Sequence, residues 1–200
     1  MKDKKIVEMA QMAVLTAIIL IMAFTPLGYL RTAGLEISLI TIPVVIGAMI
    51  TGPAAGAVLG GVFGITSFYQ CFGMSPFGAA LLSINPFFTF LVCVPTRILM
   101  GYLTGVLFRL YAKPDKTHTI CYFAGGLTGA FLNTLFFMGM LLFSFWNTEY
   151  LQSLNASMGG LNPFAFLFAF IGMNGLFELP ASCIAGGIVS KALSRSLRNI

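Results

Sequence analysis

Arg97 and Glu178 are the two charges of this chain that fall inside long apolar runs rather than in loops. A charge at the middle of a bilayer costs at least about 2.5–3.5 kcal/mol, so it is kept for pairing or for function. Arg97 stands twelve residues before Arg109, and Glu178 thirteen before Lys191. On helices those spacings correspond to roughly 18–20 Å. In a hydrocarbon core about 30 Å thick, both charges then sit just past the midplane. Asn133, thirteen residues beyond Ile120, reaches a similar level, and Asn174 lies one helical turn from Glu178 on the same face. Two chemistries suit this set. An Arg97–Glu178 ion pair, with the asparagines taking up leftover hydrogen bonds, would tie the spans together. A polar pocket would instead hold a small molecule, and the planar fork of an arginine suits a carboxylate. The two are compatible, with Glu178 the resting partner of Arg97 when no ligand is bound. Tyr69 and Asn85, in a neighbouring stretch of aromatic and small polar residues, complete the candidate binding set.

Other chemistries find little support. His118 is the single histidine, and the acids Asp3, Glu8, Glu36, Asp115, Glu149 and Glu178 are scattered, so a clustered metal site is not expected. No GxSxG surrounds a serine, and no glycine-rich loop leads into Lys-Ser or Lys-Thr. An integral membrane enzyme is therefore the weaker alternative, and the chain is expected to carry no cofactor and to bind no ATP. The cysteines Cys71, Cys93, Cys121 and Cys183 lack CxxC spacing and sit in or beside apolar runs, where packing is their expected role. A purely structural membrane subunit would not need Arg97 and Glu178 at mid-membrane.

The elements that position these residues follow from composition. The 200 residues are 58% hydrophobic and 8% charged, far below the roughly 25% charged residues of soluble domains. The reading is an all-α integral membrane protein, a single domain over residues 1–200 with six transmembrane helices in a compact bundle. Its expected spans cover about 6–26, 39–51, 53–70, 86–111, 120–146 and 163–193. Met1-Lys2-Asp3-Lys4-Lys5 leads into the first span without a small-residue cleavage site. Gly52, Gly56, Gly60 and Gly64 recur every fourth residue, a bare stripe that lets helix backbones touch in lipid. Gly125 and Gly129 repeat the device on the fifth span. Ala10, Ala13 and Ala17 form a small-residue face on the first, suited to packing within the bundle. Leu27–Ser38 reads as a long connector, Phe68–Asn85 as an interfacial or re-entrant loop, Ala112–Thr119 as a hydrophilic loop, and Asn147–Asn162 as a polar loop. Six spans put both termini on one side. Lys2, Lys4, Lys5, Arg109, Lys113, Lys116, Lys191, Arg195 and Arg198, nine of the eleven basic residues, fall there. The positive-inside rule makes that side cytoplasmic.

The segment from Ile42 to Ser67, IPVVIGAMITGPAAGAVLGGVFGITS, resembles the second and third spans of the substrate-binding S components of energy-coupling factor (ECF) vitamin transporters. Cys93-Val94-Pro95-Thr96-Arg97 resembles that family's proline-arginine step on the fourth span. Asn174-Gly175-Leu176-Phe177-Glu178 resembles an N-G-x-x-E pattern of a pantothenate-type branch. The resemblance implies a vitamin-capture subunit of an ABC-type importer in a bacterial cell membrane, with pantothenate first among its substrates. Its carboxylate, amide and hydroxyls would meet Arg97, Glu178, Asn133 and Asn174. Riboflavin or another vitamin or precursor is the alternative, since Phe68, Tyr69, Phe72, Phe77, Phe87, Phe88, Trp146 and Tyr150 offer rings for stacking, although interfacial anchoring and core packing are the better account of them. The resemblance also implies two ATP-binding subunits and a membrane scaffold subunit as partners. Ala10, Ala13 and Ala17 would then be the docking face, and the Leu27–Ser38 connector a gate over the substrate.

Overall fold

Glycine spacing decides where the helices meet. In the computed structural model, α3 (Pro53–Gln70) lies against α5 (Pro86–Ala112) as the most closely packed pair of elements. Gly56 faces the backbone of Gly101, Gly60 faces the carbonyl of Arg97, and Gly64 faces Val94, where an added Cβ would stand 2.7 Å from Cα. Contact this close between two backbones is possible only without side chains. It compensates in lipid for the weak drive that apolar burial supplies there.

The structure describes residues 2–32, 35–115 and 119–198. Within that range the side chains of 2–4, 30–32, 35–37, 170, 173, 174 and 196–198 are not described. The remaining helices are α1 (Lys2–Ala23), α2 (Thr41–Ile50), α4 (Pro76–Ile84), α6 (Ile120–Phe145), α7 (Glu149–Ser157), α8 (Pro163–Ala181) and α9 (Gly187–Arg198). A π-helical turn, Ser182–Gly186, joins the last two into one rod just after Pro180. Gly126 of α6 packs directly onto the Ser182 carbonyl in that turn.

By length and composition, Lys5–Ala23, Pro86–Ala112, Ile120–Phe145 and Gly175–Arg195 can each cross a membrane. Large apolar side chains stand on the outside of these rods: Ile6 is 60% exposed, Phe143 82% and Leu176 73%. In water such a surface would drive aggregation; against lipid tails it costs nothing. The ten-residue α2 is about 15 Å long, half a bilayer core. It runs inside the bundle, with Val44, Val45 and Ala48 fully buried. Thr51-Gly52-Pro53 separates it from α3 as the residue types require: Gly52 takes φ +116°, and Pro53 opens the next helix.

Three connectors carry more structure than their sequences suggested. The Leu27–Ser38 connector holds an antiparallel hairpin, β1 (Tyr29–Thr32) with β2 (Leu35–Ser38), in which Tyr29 pairs with Ser38. The Phe68–Asn85 stretch, expected as a loop, contains α4; Ser75 caps it by accepting from Gly78 N at 3.0 Å, with Pro76 at the first helical position. The Asn147–Asn162 stretch contains α7, capped by Thr148, whose hydroxyl accepts from Leu151 N at 3.4 Å. Both helices are nine residues long and lie outside the spans, where a hydropathy reading is blind to them. Asp115 accepts from the backbone N–H groups of Thr119 and Cys121 and so caps α6; Lys116 and His118 lie outside the described residues.

Candidate functional site: a polar cavity around Arg97

Pro95 shapes the ground on which Arg97 stands. A proline inside a helix removes one backbone donor, here the one that would serve the Leu91 carbonyl four residues earlier, and its ring disturbs the turn before it. Within that turn of α5 the Val92 carbonyl accepts from two side chains, the Thr96 hydroxyl at 2.5 Å and Arg97 Nη1 at 2.7 Å. Hydroxyl side chains commonly bond backbone carbonyls in membrane helices, and here a second bond comes from an arginine. That bond curls the guanidinium back along its own helix. The group lies between two aromatic rings, with Cζ 4.3 Å from the Phe137 centroid and 5.2 Å from that of Phe63. Arg97 is 6% exposed, and its Nε has no partner among the described residues.

Glu178 is satisfied from elsewhere. Its Oε1 accepts from Thr41 Oγ1 at 2.6 Å and from Asn133 Nδ2 at 2.9 Å, and its Oε2 from Thr134 Oγ1 at 3.2 Å. The carboxyl group thus gathers α2, α6 and α8. Among the described residues no ion pair joins it to Arg97, so the direct pair, one of the two arrangements considered from sequence, is not the one the fold adopts. The reason is geometric: Arg97 reaches the Val92 carbonyl on its own helix, while three hydroxyl and amide donors already converge on Glu178. Asn133 spends its N–H on Glu178 and leaves Oδ1 buried without a partner among the described residues.

Arg97, Asn133, Thr134 and Glu178 line one cavity of about 70 Å³, which also meets Tyr29 and Ser38 of the hairpin and Gln70 at the end of α3. That is room for about five waters. Ser38 Oγ is a further buried atom without a partner among the described residues. Gln70 donates to the Ala23 carbonyl and ties the ends of α1 and α3 together beside the cavity. The walls therefore present one cation, several hydroxyls and unmet acceptors within an apolar bundle. Such a lining suits a small polar molecule; among the described residues it has no nucleophile–base pair and no group of three metal-ligating residues.

The family model described as "ECF transporter, substrate-specific component" matches residues 7–186. The chain belongs to this family. It is a multi-pass membrane subunit for vitamin uptake, a substrate-binding component rather than an enzyme. The S-component chain is also 26% identical over 185 residues to "Pantothenate transporter PanT" of Leuconostoc mesenteroides subsp. mesenteroides, covering 88% of this chain and 87% of that protein.

In this S component the other candidate residues stand apart from the cavity. Tyr69 is 60% exposed and packs edge-on against Phe24 at 5.9 Å. Asn85 caps α5, its side chain accepting from Phe88 N at 3.1 Å. The Asn174 side chain, like those of Arg31 and Glu36, lies outside the described residues. Of the eight aromatics considered for ring stacking, only Phe77 lines the cavity; Phe72 and Phe87 are exposed on the outside. Ala10, Ala13 and Ala17 all face outward from α1 rather than into the bundle. Thr41, Thr134, Ser38 and Tyr29 went unnoticed in the sequence, because threonine, serine and tyrosine recur in membrane helices and loops without any distinguishing spacing. Gln70 did carry a signal, as a strongly polar residue at the end of an apolar helix.

Proposed function

We propose that this S component captures pantothenate from outside the cell, with Arg97 pairing with the ligand carboxylate. The observation that carries the reading is the buried guanidinium of Arg97, which hydrogen-bonds Val92 and Thr96 and forms no direct ion pair with a carboxylate among the described residues. A buried cation without a direct anionic partner is costly, and an anionic ligand would supply one through charge-assisted hydrogen bonds. Asn133 Oδ1 and Ser38 Oγ are positioned to accept from the ligand's hydroxyl or amide groups, and Glu178 holds Asn133 in place. Asn174, one turn from Glu178 on the backbone, joins this set. The likeness to a pantothenate transporter points to the same substrate. The aromatic placement gives a flat flavin ring no platform at Arg97 beyond Phe63 and Phe137, which already flank the guanidinium.

The energy for uptake comes from partners in this reading. Two ATP-binding subunits and a membrane scaffold subunit would drive release inward, with the outward-facing Ala10, Ala13 and Ala17 as the docking face. Both termini lie in the cytoplasm of a bacterial cell, on the side of Lys5, Arg109 and Lys191. The deciding experiment is calorimetric titration of the purified chain with pantothenate. Saturable binding in the wild type and loss of more than tenfold in affinity in Arg97→Ala are expected. A change within about twofold in Arg97→Ala would remove the carboxylate role.

A further inference from the structure

Two thiols in the cavity wall have no part in the binding geometry above. Cys71, at the C-terminal end of α3, and Cys93, one turn before Arg97 on α5, are each 4% exposed, and their Sγ atoms lie 3.9 Å apart. Ser67 touches both: its carbonyl accepts from the Cys71 thiol at 3.4 Å, and its hydroxyl donates to Cys93 Sγ at 3.9 Å. Both residues line the same cavity as Arg97, whereas Cys121 and Cys183 do not.

We propose that Cys71 and Cys93 are a peroxide-sensitive thiol pair whose disulfide clamps the cavity wall and weakens ligand capture. Three observations meet here. First, the helices carrying the pair are in backbone contact nearby, since a Cβ on Gly64 would stand 2.8 Å from the Cys93 carbonyl oxygen. A disulfide needs an S–S distance of about 2.05 Å, so the sulfurs must close by roughly 1.9 Å. Cys71 is the residue able to move, because it ends α3 and leads into a turn in which Gly73 takes φ +114°. Second, a cavity with room for about five waters admits hydrogen peroxide but no glutathione-sized disulfide, which selects the oxidant. Third, the cavity is well below the ~300–1,000 Å³ of sites that enclose organic ligands, so the wall must yield when a vitamin enters. A bond between the end of α3 and the first third of α5 opposes that movement.

The chemistry closes without further reagents. One sulfur, as thiolate, attacks a peroxide oxygen; the O–O bond breaks, and the departing hydroxide takes up the released proton as water, leaving a sulfenic acid. The second thiol attacks the sulfenic sulfur; the S–S bond forms, the S–O bond breaks, and a second water leaves with the second proton. Two thiols lose two electrons, and one hydrogen peroxide becomes two waters. A thiol reductant reverses the step by exchange.

The test treats the full-length chain in detergent with hydrogen peroxide and maps its cysteines by non-reducing mass spectrometry, alongside pantothenate titration and thermal unfolding. Expected are a 71–93 bridged peptide with Cys121 and Cys183 still reduced, an affinity at least tenfold weaker, a raised unfolding midpoint, and recovery with dithiothreitol. Peroxide treatment of Cys71→Ser should change none of these readouts relative to the untreated variant. Absence of the bridge, or bridging at other cysteines, overturns the site. A bridged protein that binds as tightly as the reduced one overturns the clamp. The effect on capture rests on the pantothenate reading. If the reduced protein binds no pantothenate, that reading fails by itself; the mass map still decides the thiol site, and an unchanged midpoint in the bridged protein then overturns the clamp.

Discussion

Asn133 Nδ2 donates to Glu178 Oε1 at 2.9 Å, joining α6 to α8 at the wall of the cavity. The same carboxyl group receives Thr41 from α2 and Thr134 from α6. Glu178 is thus a hub on which three helices are registered, and through Thr41 it reaches the hairpin, since the Thr41 hydroxyl also lies 3.3 Å from the Ser38 carbonyl.

Removing the hub strands several donors at once. Each buried polar group left unpaired costs about 1–3 kcal/mol. Glu178→Ala is therefore expected to lower the unfolding midpoint in detergent sharply and to reduce pantothenate affinity more than tenfold. Glu178→Gln keeps one carbonyl oxygen for Thr41 and Asn133 and is expected to recover much of the stability. Thermal unfolding of both variants checks this; an Ala variant that melts like wild type would show that the hub carries no weight.

Gly60 and Gly61 are neighbours with opposite surroundings. A Cβ on Gly60 would fall against the Arg97 carbonyl, 2.8 Å from its carbon, whereas on Gly61 the nearest atom is the Ile98 side chain at 3.6 Å. Gly60→Ala is expected to cost about 1–3 kcal/mol through overpacking, and to weaken ligand binding because α5 shifts at Arg97. Gly61→Ala should be neutral, or stabilising by up to about 1 kcal/mol, since alanine is the better helix former. Equal midpoints for the two variants would contradict the backbone contact.

Asn85 separates a cap from a contact. Asn85→Ala is expected to destabilise the protein by about 0.5–2 kcal/mol through loss of the α5 cap, with pantothenate affinity within twofold of wild type. Weakened binding at unchanged stability would instead place Asn85 in the site.

The face of α1 tests assembly apart from capture. Ala13→Leu, at an exposed position, is expected to keep pantothenate binding and to abolish co-purification with the scaffold subunit. Retained assembly would move the docking surface elsewhere.

Much of this architecture was legible in the residues. The glycine stripe Gly52–Gly64 was readable as a close helix contact, because only glycine permits one. The shared depth of Arg97, Asn133 and Glu178 followed from helical rise alone. The helices α4 and α7 were hidden, because their signals are local caps, Ser75-Pro76 and Thr148, within stretches too polar or too short to register as spans. The hairpin was hidden as well, since its pairing depends on where the ends of α1 and α2 hold the connector.

Sequence by itself determined the membrane setting and the presence of costly polar groups at mid-depth. In lipid, apolar length and backbone satisfaction leave little choice but helices, and a buried charge needs a reason to be there. Only the tertiary structure decided who pairs with whom. Arg97 and Glu178 share a level, but level does not set azimuth or distance. Arg97 bonds the Val92 carbonyl on its own helix, while the packing of α2, α6 and α8 delivered three donors to Glu178. Which hydrogen bonds form depends on angstrom-scale placement of separate helices, which no spacing along one chain encodes.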